Sequence, residues 1–162
     1  AFELCEHRPR ENGSEEYLNS EKYEIKEWDI ESHSNLKDFI TRINRIRKEN
    51  PALQYNWNLR FHTVDNDQIV CYTKHNSDRS NIVLVAVNLD PHHVQSGWVE
   101  LPLSKVGLDP SDPFQMHDLL SDARYLWHGQ RNFIELDPQI VPAHIFCIRR
   151  KVRTERDFDY YL

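Results

Sequence analysis

The sequence predicts a mainly β protein whose larger part is an antiparallel β-sandwich, preceded by a single helix. From Leu59 onward, apolar residues recur with a period of two, and stretches of strand length are separated by turn-favouring clusters. Seven or eight short strands at such spacing are typical of an antiparallel sandwich. Before Leu59, one stretch has apolar residues at a helical period, and no long helix interrupts the strands that follow.

The helix is the clearest local prediction. Its apolar stripe falls at i, i+3, i+4, i+7 and i+10, at Leu36, Phe39, Ile40, Ile43 and Ile46. Ser34 or Asn35 is suited to cap the start of the helix, and Asn50-Pro51 ends it.

The predicted strands lie between turn-favouring pairs such as Asp90-Pro91 and Asp137-Pro138. They are Leu59–Val64, Gln68–His75, Asn81–Leu89, Gln95–Leu101, Phe114–Asp118, Arg124–Trp127, Asn132–Leu136 and Ala143–Arg149. The third of them is apolar on both faces, so we expect it to be central in its sheet.

Length and composition restrict the function. A chain of 162 residues suits one domain, whereas a complete (β/α)8 barrel needs about 250. The first residues lie in an apolar run without a starting Met, so we expect a fragment of a longer protein. A net charge of −6 disfavours nucleic acid, and no stretch has the roughly 20 apolar residues of a membrane span. Three cysteines without a C-x-x-C pair fit free thiols in the cytoplasm.

The segment from Ser14 to Asp29 follows neither pattern. It contains two tyrosines, two lysines and six carboxylates, with no sustained apolar period. Such residues suit a polar-ligand site carried on a loop, and they suit equally a solvated connector.

Several motifs together resemble maltosyltransferases of glycoside hydrolase family 13, the α-amylase clan. The first third carries the specific ones: Glu3, Gly13-Ser14-Glu15-Glu16-Tyr17-Leu18, Ser20-Glu21-Lys22-Tyr23-Glu24 and Trp28-Asp29. The run from Ile43 to Leu53 resembles the closing barrel helix of α-amylase-type enzymes. Further motifs agree, at Gly97–Pro102, His117–Leu120, Pro142–Phe146 and the tail Asp157–Leu162. The resemblance implies that residues 1–53 are the last strand, loop and helix of a severed (β/α)8 barrel, and that residues 54–162 are the C-terminal β-sandwich. Phe2–Cys5 is predicted to be the end of that short, buried strand.

The resemblance also implies an activity for the longer protein. Such enzymes move a maltosyl unit from α-maltose 1-phosphate to the non-reducing end of an α-1,4-glucan and release phosphate, through a covalent glycosyl-enzyme. The two carboxylates that retaining chemistry needs lie on earlier barrel strands, so no catalytic residue is expected in this chain. Alone the fragment would have no catalytic activity, and within the longer protein its role would be to stabilise. The resemblance implies no metal or organic cofactor and a homodimeric parent, and the exposed barrel remnant would let the fragment self-associate.

Within the Ser-Glu-Lys-Tyr-Glu motif, the resemblance assigns donor-sugar contacts to Lys22 and Tyr23. Lys22 would donate hydrogen bonds to hydroxyl groups, and Tyr23 would offer its hydroxyl and a ring face. Glu21 and Glu24 would orient Lys22. Neither Glu15 with Glu16 nor Glu21 with Glu24 has a neighbour that marks it as an acid/base pair.

Two alternatives remain open at this stage. One is a non-catalytic carbohydrate-binding module, in which Trp57, Trp98 and Trp127 form a stacking platform rather than filling a core or an interface. The other is the tail of an α-amylase-type hydrolase.

The histidines of the sequence lack the spacing or the cysteine partners of a metal site.

Overall fold

The computed structural model describes residues 2–18, 25, 27, 29 and 35–149. The chain divides into two compact units, Ala1–Arg45 and Ile46–Leu162. The tail motif Asp157–Leu162 lies outside the described residues. The predicted boundary between residues 53 and 54 stays a prediction.

The strand predicted for Phe2–Cys5 is wrong for this structure, because Phe2–Leu4 forms a 3-10 turn. A strand is held by hydrogen bonds to a neighbouring strand. No strand among the described residues pairs with this segment, and the Glu3 carbonyl instead accepts a bond from the Leu36 amide at 2.6 Å. The chain then turns at Cys5, whose φ is 55°.

The predicted helix is confirmed as α1, Lys37–Glu49. The side-chain oxygen of Asn35 accepts a bond from the Lys37 amide at 3.0 Å, so Asn35 satisfies one of the free N–H groups at the helix start. Arg47 and Lys48 occupy the last turn, where positive charge complements the helix dipole. The helix ends before Asn50-Pro51, as predicted.

The eight predicted strands are all present, each within one residue of its expected bounds. They are β1 Arg60–Val64, β2 Ile69–His75, β3 Ile82–Asn88, β4 Gln95–Glu100, β5 Phe114–Asp118, β6 Arg124–Trp127, β7 Arg131–Leu136 and β8 Ala143–Arg149. Every pairing is antiparallel, and the strand order is β6-β5-β8-β3-β2-β1-β4-β7. β3 lies inside this order and is buried on both faces, which confirms its central position.

β1 is shared between two neighbours. Its residues Arg60–His62 pair with β2, whereas Thr63 and Val64 pair with β4. Where β1 meets β4, side chains at the end of β1 and in the turn after it crowd Gly97, and a Cβ at Gly97 would lie 2.9 Å from Val64 Cγ1. Glycine is therefore needed at this position to let the two strands meet.

The core lies inside the curled sheet. Ile82, Leu84 and Ala86 of β3 share one cluster of buried side chains with Ile134 and Leu136 of β7. A four-residue helix that the sequence did not predict, α2 Leu103–Val106, adds Leu103 and Val106 to this cluster. It ends at Gly107, whose left-handed φ of 81° suits a helix C-terminus.

Asparagines fasten the segment after α1 to the sheet. The Asn81 side chain accepts a bond from the Ala52 amide and donates one to Asn50 Oδ1, both at 3.0 Å. Asn58 Nδ2 donates to the Ala52 carbonyl at 3.0 Å and also to the His75 carbonyl. The 3-10 turn Pro51–Gln54 is thereby fixed against β2 and β3.

The prediction of a mainly β, antiparallel fold is confirmed. Two finer parts of the prediction, the stacking of two sheets and the barrel remnant, stay predictions. In the structure β1 joins all eight described strands into one continuous order.

Candidate functional site

The sugar-contacting residues predicted from the sequence lie outside the described residues. This applies to Lys22 and Tyr23 and to their supporting carboxylates Glu21 and Glu24. Their roles therefore stay predictions.

The described segment before them, residues 8–18, is a closed loop. The Arg10 amide donates to the Glu16 carbonyl and the Leu18 amide to the Arg8 carbonyl, both at 2.8 Å. The turn runs through Gly13, whose φ of 83° is left-handed. An Arg10 nitrogen lies 3.3 Å from Glu16 Oε2. Glu16 is thus held by a cation within its own loop.

Several histidines of the sheet and its turns pair with carboxylates. No group of three or more His, Cys, Asp or Glu side chains suited to a metal lies within the described residues. His93 Nδ1 lies 2.9 Å from Asp90 Oδ2 in the turn after β3. His117 Nε2 lies 2.5 Å from Asp122 Oδ1 beside the β5–β6 turn.

Asp118 is the most enclosed of these carboxylates. It is fully buried and accepts hydrogen bonds from Ser121 Oγ at 2.6 Å, His144 Nδ1 at 3.0 Å and two backbone amides. Burial by itself would raise the Asp118 pKa, but the bonds from His144, Ser121 and Leu120 lower it below its ordinary value. Ser121 bonds to the carboxylate rather than to the imidazole, so the three side chains are not arranged as a nucleophilic triad.

The three tryptophans considered for a stacking platform do not form one. Trp127 is 6% exposed and packs against Phe114 and Phe146 in the core. Trp57 is 63% exposed and contacts Tyr55 and His75.

Trp98 lies in a separate aromatic pair. Its ring centroid is 5.5 Å from that of Phe133, the residue directly opposite on β7. The Arg131 guanidinium lies over the Trp98 ring, 5.1 Å from its centroid, and bonds to Asp65 Oδ2 at 3.0 Å. A cation–π contact and an ion pair together hold this arrangement in place.

Trp98 and Phe133 belong to a solvent-exposed sheet surface, which we call the outer face. The strand registers and the alternation of side chains bring nine exposed residues to it: Phe61, Thr63, Asp65, Ser96, Trp98, Glu100, Arg131, Phe133 and Glu135. The intervening residues, such as Val99 and Ile134, point into the core.

A cavity of about 210 Å³ lies at one end of the outer face. Its lining combines one aromatic ring with several polar groups: Phe61, His62, Thr63, Glu100, Pro102 and Gln130. The Phe61 ring is 64% exposed and rests edge-on against Tyr72. A lining of one ring and several hydrogen-bonding groups suits a small polar ligand.

The sequence does not mark most of this surface. Phe61, Gln130 and Phe133 fall in predicted strands or turns, and Glu100 belongs to the motif Gly97–Pro102 by resemblance alone. One signal is present: Trp57, Leu59 and Phe61 are apolar residues at alternate positions, and all three are exposed. An apolar side chain on the solvent side of a strand pattern is the feature that marks such a surface.

The solved structures similar to this chain define its class. An Anoxybacillus alpha-amylase matches 78% of the chain and 25% of its own, with a TM-score of 0.55 and 16% identity. AmyP, solved in complex with maltotriose, matches 74% of the chain and 23% of its own, with a TM-score of 0.52 and 21% identity. At such identities the likeness concerns the fold alone. The chain is therefore a mainly β domain with the fold of part of an alpha-amylase.

Its family is more specific. The family model described as "GLGE, C-terminal" matches residues 61–148, and the chain belongs to this family.

Sequence relatives carry one name, alpha-1,4-glucan:maltose-1-phosphate maltosyltransferase. The relative from Rhodospirillum rubrum is 50% identical over 147 residues, covering 91% of the chain and 21% of the relative. That from Methylacidiphilum infernorum is 47% identical over 146 residues, covering 90% and 22%. That from Myxococcus xanthus is 41% identical over 160 residues, covering 99% and 24%. The chain thus spans less than a quarter of the length of these relatives.

Among the described residues, no helix is both long enough and apolar enough to cross a membrane.

Proposed function

We propose that the chain is the C-terminal portion of a retaining maltosyltransferase of glycoside hydrolase family 13. The longer protein transfers a maltosyl unit from α-maltose 1-phosphate to the non-reducing end of an α-1,4-glucan and releases phosphate. The observation that carries this proposal is the 41–50% identity to relatives of that name over 90–99% of the chain.

Retaining chemistry needs a carboxylate nucleophile and a second carboxyl group about 5–5.5 Å from it. We assign both groups to the part of the enzyme outside this chain. The chain's own role is then to stabilise the catalytic part, and alone it releases no phosphate.

We further propose that residues 1–53 are the C-terminal remnant of a (β/α)8 barrel and that residues 54–162 form an antiparallel sandwich. The order of elements supports this, because in the described chain α1 is followed by the 3-10 turn Pro51–Gln54 and then by strands that are interrupted only by the short α2. The sharing of β1 supports the sandwich, since its pairing with both β2 and β4 lets the sheet fold back on itself.

Lys22 and Tyr23 are proposed to bind the donor sugar, with Glu21 and Glu24 orienting Lys22. The test is Lys22→Ala in the full-length enzyme, with Lys105→Ala on α2 as the matched loss of a lysine. We expect a raised KM for α-maltose 1-phosphate in the first variant only. Unchanged KM and kcat in Lys22→Ala would remove Lys22 from the site.

A homodimeric enzyme in the cytoplasm is also proposed. The cytoplasm is supported by the cysteines, since Cys5, Cys71 and Cys147 are all free thiols.

The deciding experiment measures phosphate release by the full-length enzyme supplied with α-maltose 1-phosphate and a short maltooligosaccharide. We expect phosphate release with lengthening of the acceptor, and none from the 162-residue chain alone. Shortening of the oligosaccharide without phosphate release would show an α-amylase-type hydrolase instead.

A further inference from the structure

We propose that the outer face is an accessory binding surface for an α-1,4-glucan, in which the cavity beside Phe61 holds one glucosyl unit and the Trp98–Phe133 pair contacts another. The choice of an α-1,4-linked ligand rests on the proposed function. The location and chemistry of the surface rest on the contacts described above.

The cavity has the size and groups that one sugar ring requires. Its volume of about 210 Å³ lies below the roughly 300–1,000 Å³ of pockets for drug-sized ligands. Phe61 supplies a ring on which the apolar face of a pyranose can rest. Thr63, Glu100 and Gln130 supply a hydroxyl, a carboxylate and an amide, a mixture of donors and acceptors that complements sugar hydroxyls. None of these three side chains bonds to another residue within the described chain, so their hydrogen-bonding capacity is available to a ligand.

The charges of the lining favour a neutral ligand. Burial, followed by the Arg60 charge, lowers the His62 pKa to about 4, so the imidazole is uncharged at neutral pH. Glu100 is then the charged side chain among the six lining residues, and Arg131 lies directly opposite it on β7 with the opposite charge. These two charges balance each other, which suits a glucan chain, because such a chain carries no charge.

The second contact lies further along the strands. Thr63 is opposite Glu100, Phe61 lies two residues back along β1, and Trp98 lies two residues back along β4. Because these strands are antiparallel, Phe61 and Trp98 are separated by about four residues, or roughly 13 Å along the strands. A ligand that contacts both rings must therefore be an oligomer, not a single sugar.

The pattern between the rings disfavours a protein partner. The row of Thr63, Glu100 and Arg131 separates Phe61 from Trp98 and Phe133, so the apolar groups are not contiguous. The core of a protein–protein interface is contiguous and depleted in charge. Alternating rings and hydrogen-bonding groups instead match the alternating apolar faces and hydroxyls of a glucan.

The test is isothermal titration calorimetry of the 162-residue chain with maltoheptaose. We expect saturable binding that weakens about tenfold in Phe61→Ala and in Trp98→Ala, because each change removes an aromatic ring that contacts the ligand. Glu100→Ala, which removes a hydrogen-bonding group without altering an aromatic contact, should also weaken binding. The matched control is Leu126→Ala, because Leu126 is 53% exposed on β6 and lies outside the outer face.

Absence of binding, or binding unchanged in all three outer-face variants, would overturn the proposal. Equal affinity for cellohexaose would overturn the α-1,4-glucan as ligand. The outcome is separable from that of the phosphate-release experiment. Phosphate release by the full enzyme without glucan binding by the chain refutes only the accessory surface, and binding without phosphate release refutes only the transferase.

Discussion

His144 Nδ1 lies 3.0 Å from Oδ2 of Asp118, a carboxylate with no exposed surface. The carboxylate only accepts hydrogen bonds, so Nδ1 carries the proton. The imidazole also stacks on Phe146, with ring centroids 4.7 Å apart. Asp118 ends β5 and His144 lies near the start of β8, so this contact fastens the β5–β6 turn to the neighbouring strand.

Replacing Asp118 by Ala should destabilise the fold strongly. The change leaves His144, Ser121 and the Leu120 and Ile145 amides without their shared acceptor. Removing one member of a buried, hydrogen-bonded pair costs about 3–5 kcal/mol. Urea unfolding followed by circular dichroism measures the free energy of unfolding.

Two further variants make this measurement specific. Asp112→Ala removes a carboxylate from an exposed turn and should change stability by less than about 0.5 kcal/mol. Asp118→Asn retains an acceptor and should fall between the two. A loss in Asp118→Ala no larger than in Asp112→Ala would show that the network contributes little.

Stability should fall as the pH is lowered from about 6.5 to about 4, in part because of His62. Its folded-state pKa of about 4 lies below the unfolded value of 6.5, owing to burial and to Arg60. Between these values the unfolded chain binds a proton that the folded chain does not, so acid favours unfolding. His62→Gln, which can still bond to Thr73, should reduce the slope of unfolding free energy against pH in this window.

The comparison for His62 is His128→Gln, because His128 is exposed in the turn between β6 and β7. Urea unfolding at pH 7, 5.5 and 4.5 gives the slope for each protein. Equal slopes in wild type and His62→Gln would contradict the assignment.

Asn81→Ala should loosen the segment after α1. It removes the acceptor of the Ala52 amide and the donor to Asn50, and both partners are buried. A buried polar group left unpaired costs about 1–3 kcal/mol, and the loss should also speed hydrogen exchange at the Ala52 amide. The matched control is Asn44→Ala on the exposed side of α1, which should leave that exchange rate unchanged.

The three thiols should react in a fixed order with iodoacetamide. Cys5 is exposed, whereas burial raises the pKa of Cys71 to about 12 and raises that of the partly buried Cys147. Because the thiolate is the reactive form, Cys5 should label first in the native chain and Cys71 only after unfolding. Peptide mass spectrometry locates the label. Rapid native labelling at Cys71 would contradict the described burial.

Local pattern was sufficient to predict the strands but not the interactions that join them. The alternation of Ile82 to Asn88 and the turn pairs around it determine where β3 begins and ends, because side-chain period and turn chemistry are local properties. Partners such as Asn81 and Ala52, 29 residues apart, depend on the folded sheet, and no local signal marks them. For the same reason the sequence shows Asp118 as part of a motif but not as a buried acceptor.

The proposed site shows the same limit. The residue type alone marks Trp98 in the sequence. Its partner Phe133 lies opposite only because β4 pairs with β7, which brings together two residues that are 35 positions apart. At Phe2–Cys5 the apolar composition favours a strand, but the segment forms a 3-10 turn. No strand among the described residues pairs with it.

The sharing of β1 has a consequence for cooperativity. Strands β2, β3, β8, β5 and β6 reach β4 and β7 in the sheet order only through β1. Loss of β1 would therefore expose the same core from both sides at once, since β3 and β7 bury their side chains in one cluster. Neither group of strands can unfold without disrupting the buried cluster that both groups share. The β unit should therefore unfold in a single all-or-none transition.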